Sequence, residues 1–399
     1  KTYISQHPPE DRQSMLQEYI AQKAGWQKEG CNYLLCNLPK PIGALKHVYK
    51  PVKHVYLGGG GARGRAYASA FQEAAEFGLK LENIEAVTAT SVGTIPGLML
   101  SIGVPIHRMG EVLSKMPADT FQDFSLKSAS RVFSTWGFCE GKAMPRYFRE
   151  LIKEFTDLDN PTFDELFRAG FTREFKVVTA NLTKRKIKVF SYKKTPHEKV
   201  ADIVATACSI PIVFPPRRLK NKHDQVNLIT DGGIFKNYPF GIEDPPNVTP
   251  EQQLGFMFVD DEPIEHIEPK KRASLIQSFW QYVKMIFGVL FTQEFWTMPE
   301  KTRDRTVELF TTHDRIKFDA SYHEQLLLNK SGKIGVRRQI KRMMEKRLKP
   351  HLNGSSCKLH QYAKRSMLHG FNLKSSGAPK PLSSQEFALV RAQAKMKVR

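Results

Sequence analysis

The sequence predicts an α/β fold with a mainly parallel central sheet and helices on both faces. Three observations carry this. Two apolar runs, residues 52–57 and 84–90, each end in a glycine- or serine-marked turn and then a helix-forming stretch. Strand, helix, strand, helix in that order requires parallel strands joined by crossover helices. A third apolar run, residues 226–229, ends in Asp231-Gly232-Gly233. Parallel sheets place their reactive groups at such strand ends.

Taken in order, residues 1–50 read as an added N-terminal layer with a helix at 14–24, broken by Pro39 and Pro41. The chain begins at Lys1, and no N-terminal signal peptide is legible in it. Residues 52–57 have the Val/Tyr/Leu bias of a strand. Residues 62–77 carry alanines and glycine on a narrow face, which suits close packing on a sheet, and Gly78 is a plausible stop. Residues 84–90 form the second strand and 92–102 the helix after the serine turn. Residues 119–139, rich in Phe and Ser, read as an irregular cap or rim. Helices follow at 142–155 and 161–167, adjacent strands at 175–181 and 186–192, and a small-residue helix at 200–208. A strand covers 255–259, an aromatic amphipathic helix 272–296, and two last helices 321–328 and 335–348. Beyond Pro350 the chain is polar and rich in Ser, Gly and Lys. The expected division is 1–50, a catalytic unit over 51–349, and a basic extension over 350–399.

The 399 residues carry a formal net charge of +21, which attracts polyanions such as anionic lipid, nucleic acid or acidic protein. No zinc-finger spacing, RNP-like strand or basic region joined to heptads supports nucleic acid. Five cysteines are too few for a disulfide scaffold. His323-Glu324 begins like a zinc motif, but Leu327 occupies the place of the second His, so no metal or cofactor is expected. The apolar stretch 286–291 is too short to span a bilayer.

Gly58-Gly59-Gly60-Gly61-Ala62-Arg63-Gly64 follows the first strand. A glycine-rich turn that opens a helix presents unpaired N–H groups to negative charge. Gly59-x-Gly61-x-x-Gly64 is also a dinucleotide fingerprint, but that reading wants an acidic residue at the end of the second strand. Thr90-Ser91 stands there instead. Ala89-Thr90-Ser91-Val92-Gly93 is a small-x-Ser-x-Gly turn, the device that holds a serine hydroxyl clear of the backbone as a nucleophile. The alternative role for Ser91 is a helix N-cap. No histidine after Ser91 sits in a distinctive turn, whereas Asp231 ends a strand. Its plain alternative is an Asp-Gly hairpin turn.

In this order, the glycine loop, the serine turn and Asp231-Gly232-Gly233 resemble the three signatures of patatin-like phospholipases. The segment from Ala205 to Pro211 followed by Phe214-Pro215-Pro216, then Asn237-Tyr238-Pro239 and Phe318-Asp319-Ala320-Ser321, is similar to that family too. Alanine at position 89 departs from the usual glycine. The resemblance implies a three-layer fold and a Ser–Asp acyl hydrolase with no catalytic histidine. Ser91 is then the nucleophile and Asp231 its base. Gly59, Gly60, Gly61, Ala62, Arg63 and Gly64 form the oxyanion loop, with Gly93, Gly232 and Gly233 supporting the two turns. Arg63 either orients the loop or meets lipid phosphate.

The implied partner is a phospholipid membrane surface, with Lys341, Arg342, Lys346 and Arg347 as candidate contacts for anionic headgroups. Trp280, Tyr282, Phe287, Phe291, Phe295 and Trp296 are either interfacial or core. The high charge is similar to that of the secreted bacterial toxin branch, some members of which need a host protein such as ubiquitin. The rival readings are a binding module on a hydrolase scaffold and a dinucleotide-dependent enzyme.

Overall fold

Eight strands form one sheet in the order β5-β6-β3-β2-β1-β7-β8, with β4 paired to β3 off that path. The computed structural model describes residues 47–116, 134–220, 224–259, 286, 288–289, 294–295, 297–311, 313 and 320–352, with side chains to 343. The N-terminal layer, the tail, most of the expected cap and most of the aromatic helix lie outside these residues.

The strands are β1 His54–Leu57, β2 Ala86–Thr90, β3 Glu174–Asn181, β4 Lys186–Phe190, β5 Arg217–Lys220, β6 Val226–Asp231, β7 Gln253–Val259 and β8 Thr306–Phe310. β1 is wholly buried, as a short uninterrupted apolar run in a central parallel strand must be. It pairs in parallel with β2 and β7, β2 with β3, and β7 with β8. β3–β4, β3–β6 and β5–β6 are antiparallel.

The helices are α1 Ala66–Glu76, α2 Thr94–Ser101, α3 Ile106–Lys115, α4 Ala143–Thr156, α5 Phe163–Arg168, α6 Val200–Ala207, α7 Gly233–Lys236, α8 Glu300–Arg303 and α9 Tyr322–Leu352. One face of the sheet takes α1 and α2. Phe71 of α1 packs on Phe256 at 4.8 Å between ring centres with the rings tilted, and Tyr67 meets the Phe258 ring edge-on at 5.1 Å. Each such buried ring contributes about 1.5–3 kcal/mol. On the opposite face, Tyr56 and Met257 pack with Tyr238, Phe240, Phe295 and Met298. Phe295 is half-buried against this cluster, and Arg303 lies over its ring.

The last two expected helices are one. The expected gap between 328 and 335 is helical, and Gly332 and Gly335 both lie inside α9. A Cβ at Gly332 would sit 2.3 Å from the Ala66 carbonyl oxygen, and one at Gly335 2.5 Å from that of Glu308. The glycines let α9 lie directly on α1 and β8, so packing explains them. β5, β8 and α3 were not expected from the sequence.

Candidate active site

β3 is the ruler that assembles the site. Its residues 174–178 pair with β2, and its residues 179–181 pair with β6 on the same edge, because β4 occupies the other edge over residues 177–181. β2 runs parallel to β3 and β6 antiparallel, so the C-terminal ends of β2 and β6 meet head-on. Thr90 pairs with Val178 and Asp231 with the next residue, Thr179. Ser91 and Asp231 are thereby neighbours across 140 residues of sequence, and the Ser91 hydroxyl donates to Asp231 Oδ2 at 2.6 Å.

Ser91 sits at φ 52°, in the left-handed region that non-glycine residues seldom occupy. Strain of this kind is stored at functional sites where the surroundings over-determine it. Here the Ser91 carbonyl accepts the Thr94 hydroxyl at 2.6 Å and the Cys208 thiol at 3.4 Å. Cys208 is wholly buried, which pushes its thiol far above the ordinary range and keeps it a neutral donor.

Asp231 is fully buried. Its Oδ1 accepts the Gly233 N–H at 2.7 Å, which turns Oδ2 toward Ser91. Burial raises its pKa from 3.8 to about 7, opposed by the hydrogen bonds from Ser91 and Gly233. Gly232 has an ordinary helical φ of −70°. Its smallness is needed for space, since a Cβ there would lie 2.4 Å from the Val178 carbonyl oxygen.

The glycine loop runs beside Ser91. A Cβ on Gly59 would lie 2.8 Å from the Ser91 Cβ and 2.2 Å from Asn237 Oδ1, and one on Gly60 2.2 Å from the Phe258 ring. Gly61 needs its glycine for conformation, at φ 60°. Two members depart from the expected donor role. The Gly59 N–H donates to the Asn237 carbonyl at 2.9 Å, and the Arg63 N–H to that of Gly60 at 3.4 Å. Among the described residues, the N–H groups of Gly60, Gly61 and Ala62 have no hydrogen-bond partner. Gly64 and Gly93 serve packing. A Cβ on Gly64 would meet Val92 Cγ2 at 2.7 Å, and one on Gly93 the Leu57 carbonyl oxygen at 2.5 Å.

Arg63 is buried, and its Nε donates to the His313 carbonyl at 2.6 Å. It orients the loop. We expect Arg63→Gln to destabilise the protein by about 1.5–3 kcal/mol, the range for a hydrogen bond to a charged group. Urea unfolding measures this, and an unchanged midpoint would reject the tether.

Arg342 is not a headgroup contact. Its guanidinium donates to Glu308 Oε1 at 2.7 Å and to the Arg303 and Thr306 carbonyls at 2.8 Å each. Glu308, buried in β8, needs that charge. Lys341 is half-buried, and the side chains of Lys346 and Arg347 lie outside the described residues. Sequence reasoning missed Thr94, Cys208 and the use of the Asn237 backbone. The segment from Ala205 to Pro211, which holds Cys208, and the Asn237 position after Asp231-Gly232-Gly233 carried a signal; Thr94 carried none.

The family model described as patatin-like phospholipase matches residues 55–244, from β1 through the turn after α7. The chain is 23% identical over 293 residues to the uncharacterized protein R571 of Acanthamoeba polyphaga mimivirus, covering 72% of this chain and 94% of that protein. It is 26% identical over 218 residues to the probable lipid hydrolase 463L of Invertebrate iridescent virus 6, covering 53% and 69%. Among solved structures it resembles VipD from Legionella pneumophila at 15% identity and a TM-score of 0.45, covering 73% of this chain and 67% of that one. A glycine loop, a strained serine turn and a buried aspartate are brought together on β3 within the span of that match, so residues 55–244 form a patatin-like phospholipase domain.

Proposed function

We propose that the protein is a lipid acyl hydrolase of the phospholipase A or lysophospholipase type, cleaving fatty acyl esters of membrane phospholipids. The observation that carries this reading is the 2.6 Å hydrogen bond from Ser91, held at φ 52°, to a buried Asp231. A carboxylate at its ordinary pKa is a weak base for a serine hydroxyl. Burial lifts Asp231 to about 7, close to the working pH, where proton transfer is most effective.

Ser91 Oγ attacks the ester carbonyl carbon while its proton passes to Asp231. The carbonyl oxygen becomes an oxyanion beside Gly60, Gly61 and Ala62, whose N–H groups are uncommitted. Losing one such donor raises a barrier by about 3–4 kcal/mol. The tetrahedral centre collapses, the C–O bond to the glycerol oxygen breaks, and Asp231 returns the proton to that oxygen. Water, deprotonated by Asp231, then attacks the acyl-enzyme and releases the fatty acid and free Ser91.

The test is fatty-acid release from mixed phospholipid vesicles, with and without cell extract to supply any activating protein. Wild-type release should rise as pH climbs through about 7, because only ionised Asp231 accepts the proton. Ser91→Ala should release at background rate at every pH. Equal release by wild type and Ser91→Ala would refute the reading.

A further inference from the structure

A cavity of about 480 Å³ opens beside the C-terminal end of β3. This volume is within the range of small-molecule sites. Five lysines and two carboxylates line it: Lys184, Lys186, Lys188, Lys194 and Lys220 against Glu198 and Glu243. The lysines come from the turn after β3, from β4, from the loop beyond β4 and from β5, so the tertiary fold makes the cluster. Lys194 pairs with Glu243. Lys220 faces Asp224 at 3.4 Å, and Glu198 faces Arg217 at 3.8 Å. Among the described residues, Lys184, Lys186 and Lys188 have no carboxylate within ion-pair distance.

Lysines on an edge strand such as β4 ordinarily keep that edge from pairing with another chain, and they point into open water. Lys188 does otherwise. Its ammonium lies over the Phe190 ring, 5.2 Å from the centroid. Burial lowers its pKa, Glu198 works against that, and Lys194, Lys184 and Lys186 push the same way as burial. Lys186 and Lys188 alternate along β4 opposite Asn181 and Thr179, so they share one face. Three like charges round one cavity, none with a carboxylate at ion-pair distance among the described residues, favour a bound anion.

We propose that this cavity is a binding site for a small anion carrying two or more phosphate groups, held by Lys186 and Lys188 with Lys184 and Lys194 beside them. Lysine meets phosphate as a point charge and supplies three donors. The cavity also takes in Ile229, two residues before Asp231 in β6. A ligand there ties β4 to β6 and stabilises the corner of the sheet that carries Asp231. The site is separate from the Ser91–Asp231 pair, so it stands or falls independently of the hydrolase reading.

The experiment uses the full chain and no activity assay. Inositol hexakisphosphate and pyrophosphate are titrated by calorimetry and by thermal melting. The expected result is saturable binding with one site and a rise in Tm. Lys186→Gln/Lys188→Gln should weaken binding about ten-fold or more. Lys115→Gln/Lys142→Gln removes two charges that are 71% and 81% exposed and lie outside the cavity, and it should leave binding unchanged. Phosphatidylcholine vesicles carrying phosphatidylinositol phosphate distinguish the sources. Co-sedimentation lost in the β4 double variant assigns a lipid headgroup, and soluble binding without co-sedimentation assigns a free metabolite. Equal weakening in both double variants, or no rise in Tm with either probe, would overturn the site.

Discussion

Asp231→Asn is expected to lower fatty-acid release by about 10²–10⁴-fold while making the protein more stable at pH 8. Both effects have one cause. The wild-type carboxylate is fully buried and, among the described residues, accepts from only the Ser91 hydroxyl and the Gly233 N–H. Burial raises its pKa from 3.8 to about 7, so the folded state holds a proton that the unfolded chain has released across that interval. The sign follows from linkage. The stability belonging to the protonated group is fully present below about pH 4 and is lost as pH rises through about 7. A shift of this size corresponds to on the order of 4 kcal/mol. Asparagine keeps the shape and has no charge to bury. The variant's advantage should therefore be small at pH 4, grow through pH 6, and level off by pH 8. Urea unfolding at those three values measures it. A gap independent of pH would mean that Asp231 is not the strained acid described here.

Gly93→Ala is expected to cost more than its single methyl group suggests. The new Cβ would lie 2.5 Å from the Leu57 carbonyl oxygen and 2.7 Å from that of Gly58. Both are backbone atoms at the end of β1, and neither swings aside as a side-chain end would. The serine turn must move off β1. Overpacking of this kind costs about 1–3 kcal/mol and sometimes more. A displacement of Ser91 by about 1 Å adds roughly a 10²-fold rate loss. Gly103→Ala is the matched control. Gly103 sits at φ 78° with nothing within 4 Å of its would-be Cβ, so its substitution brings conformational strain alone. It should cost about 1–2 kcal/mol and leave the rate unchanged. Equal activity in the two variants would refute the packing role of Gly93.

The parts of the site that local chemistry dictates were legible in the sequence. The glycine loop, the serine turn and Asp231 each follow an apolar strand, and each carries a residue type that few other roles require. What escaped was whatever depends on a distant partner. Arg342 lies in a helix face dense in Lys and Arg, so it read as a headgroup contact. Its true partner, Glu308, is in β8, a strand masked by the charged residues before it and by Glu308 itself at its centre. The continuity of α9 through Gly332 was not legible because the reason for that glycine, the backbone of α1, lies more than 250 residues earlier. The Gly59 N–H read as a donor for substrate because the Asn237 carbonyl that takes it is distant in sequence. α3 is a different case. Pro105 followed by Met109, Val112 and Leu113 at i, i+3 and i+4 spacing held the signal in plain view.

The meeting of β2 and β6 on one edge of β3 has a consequence for synthesis. Ser91 emerges from the ribosome long before Asp231, and the gap between them closes only when β6 pairs with β3. β7, which fills the place beside β1 in the middle of the sheet, comes later still. Contacts this distant in sequence form late and slowly. Under the proposed function, a nascent chain thus carries a serine with nothing to activate it, and activity waits until the sheet is whole.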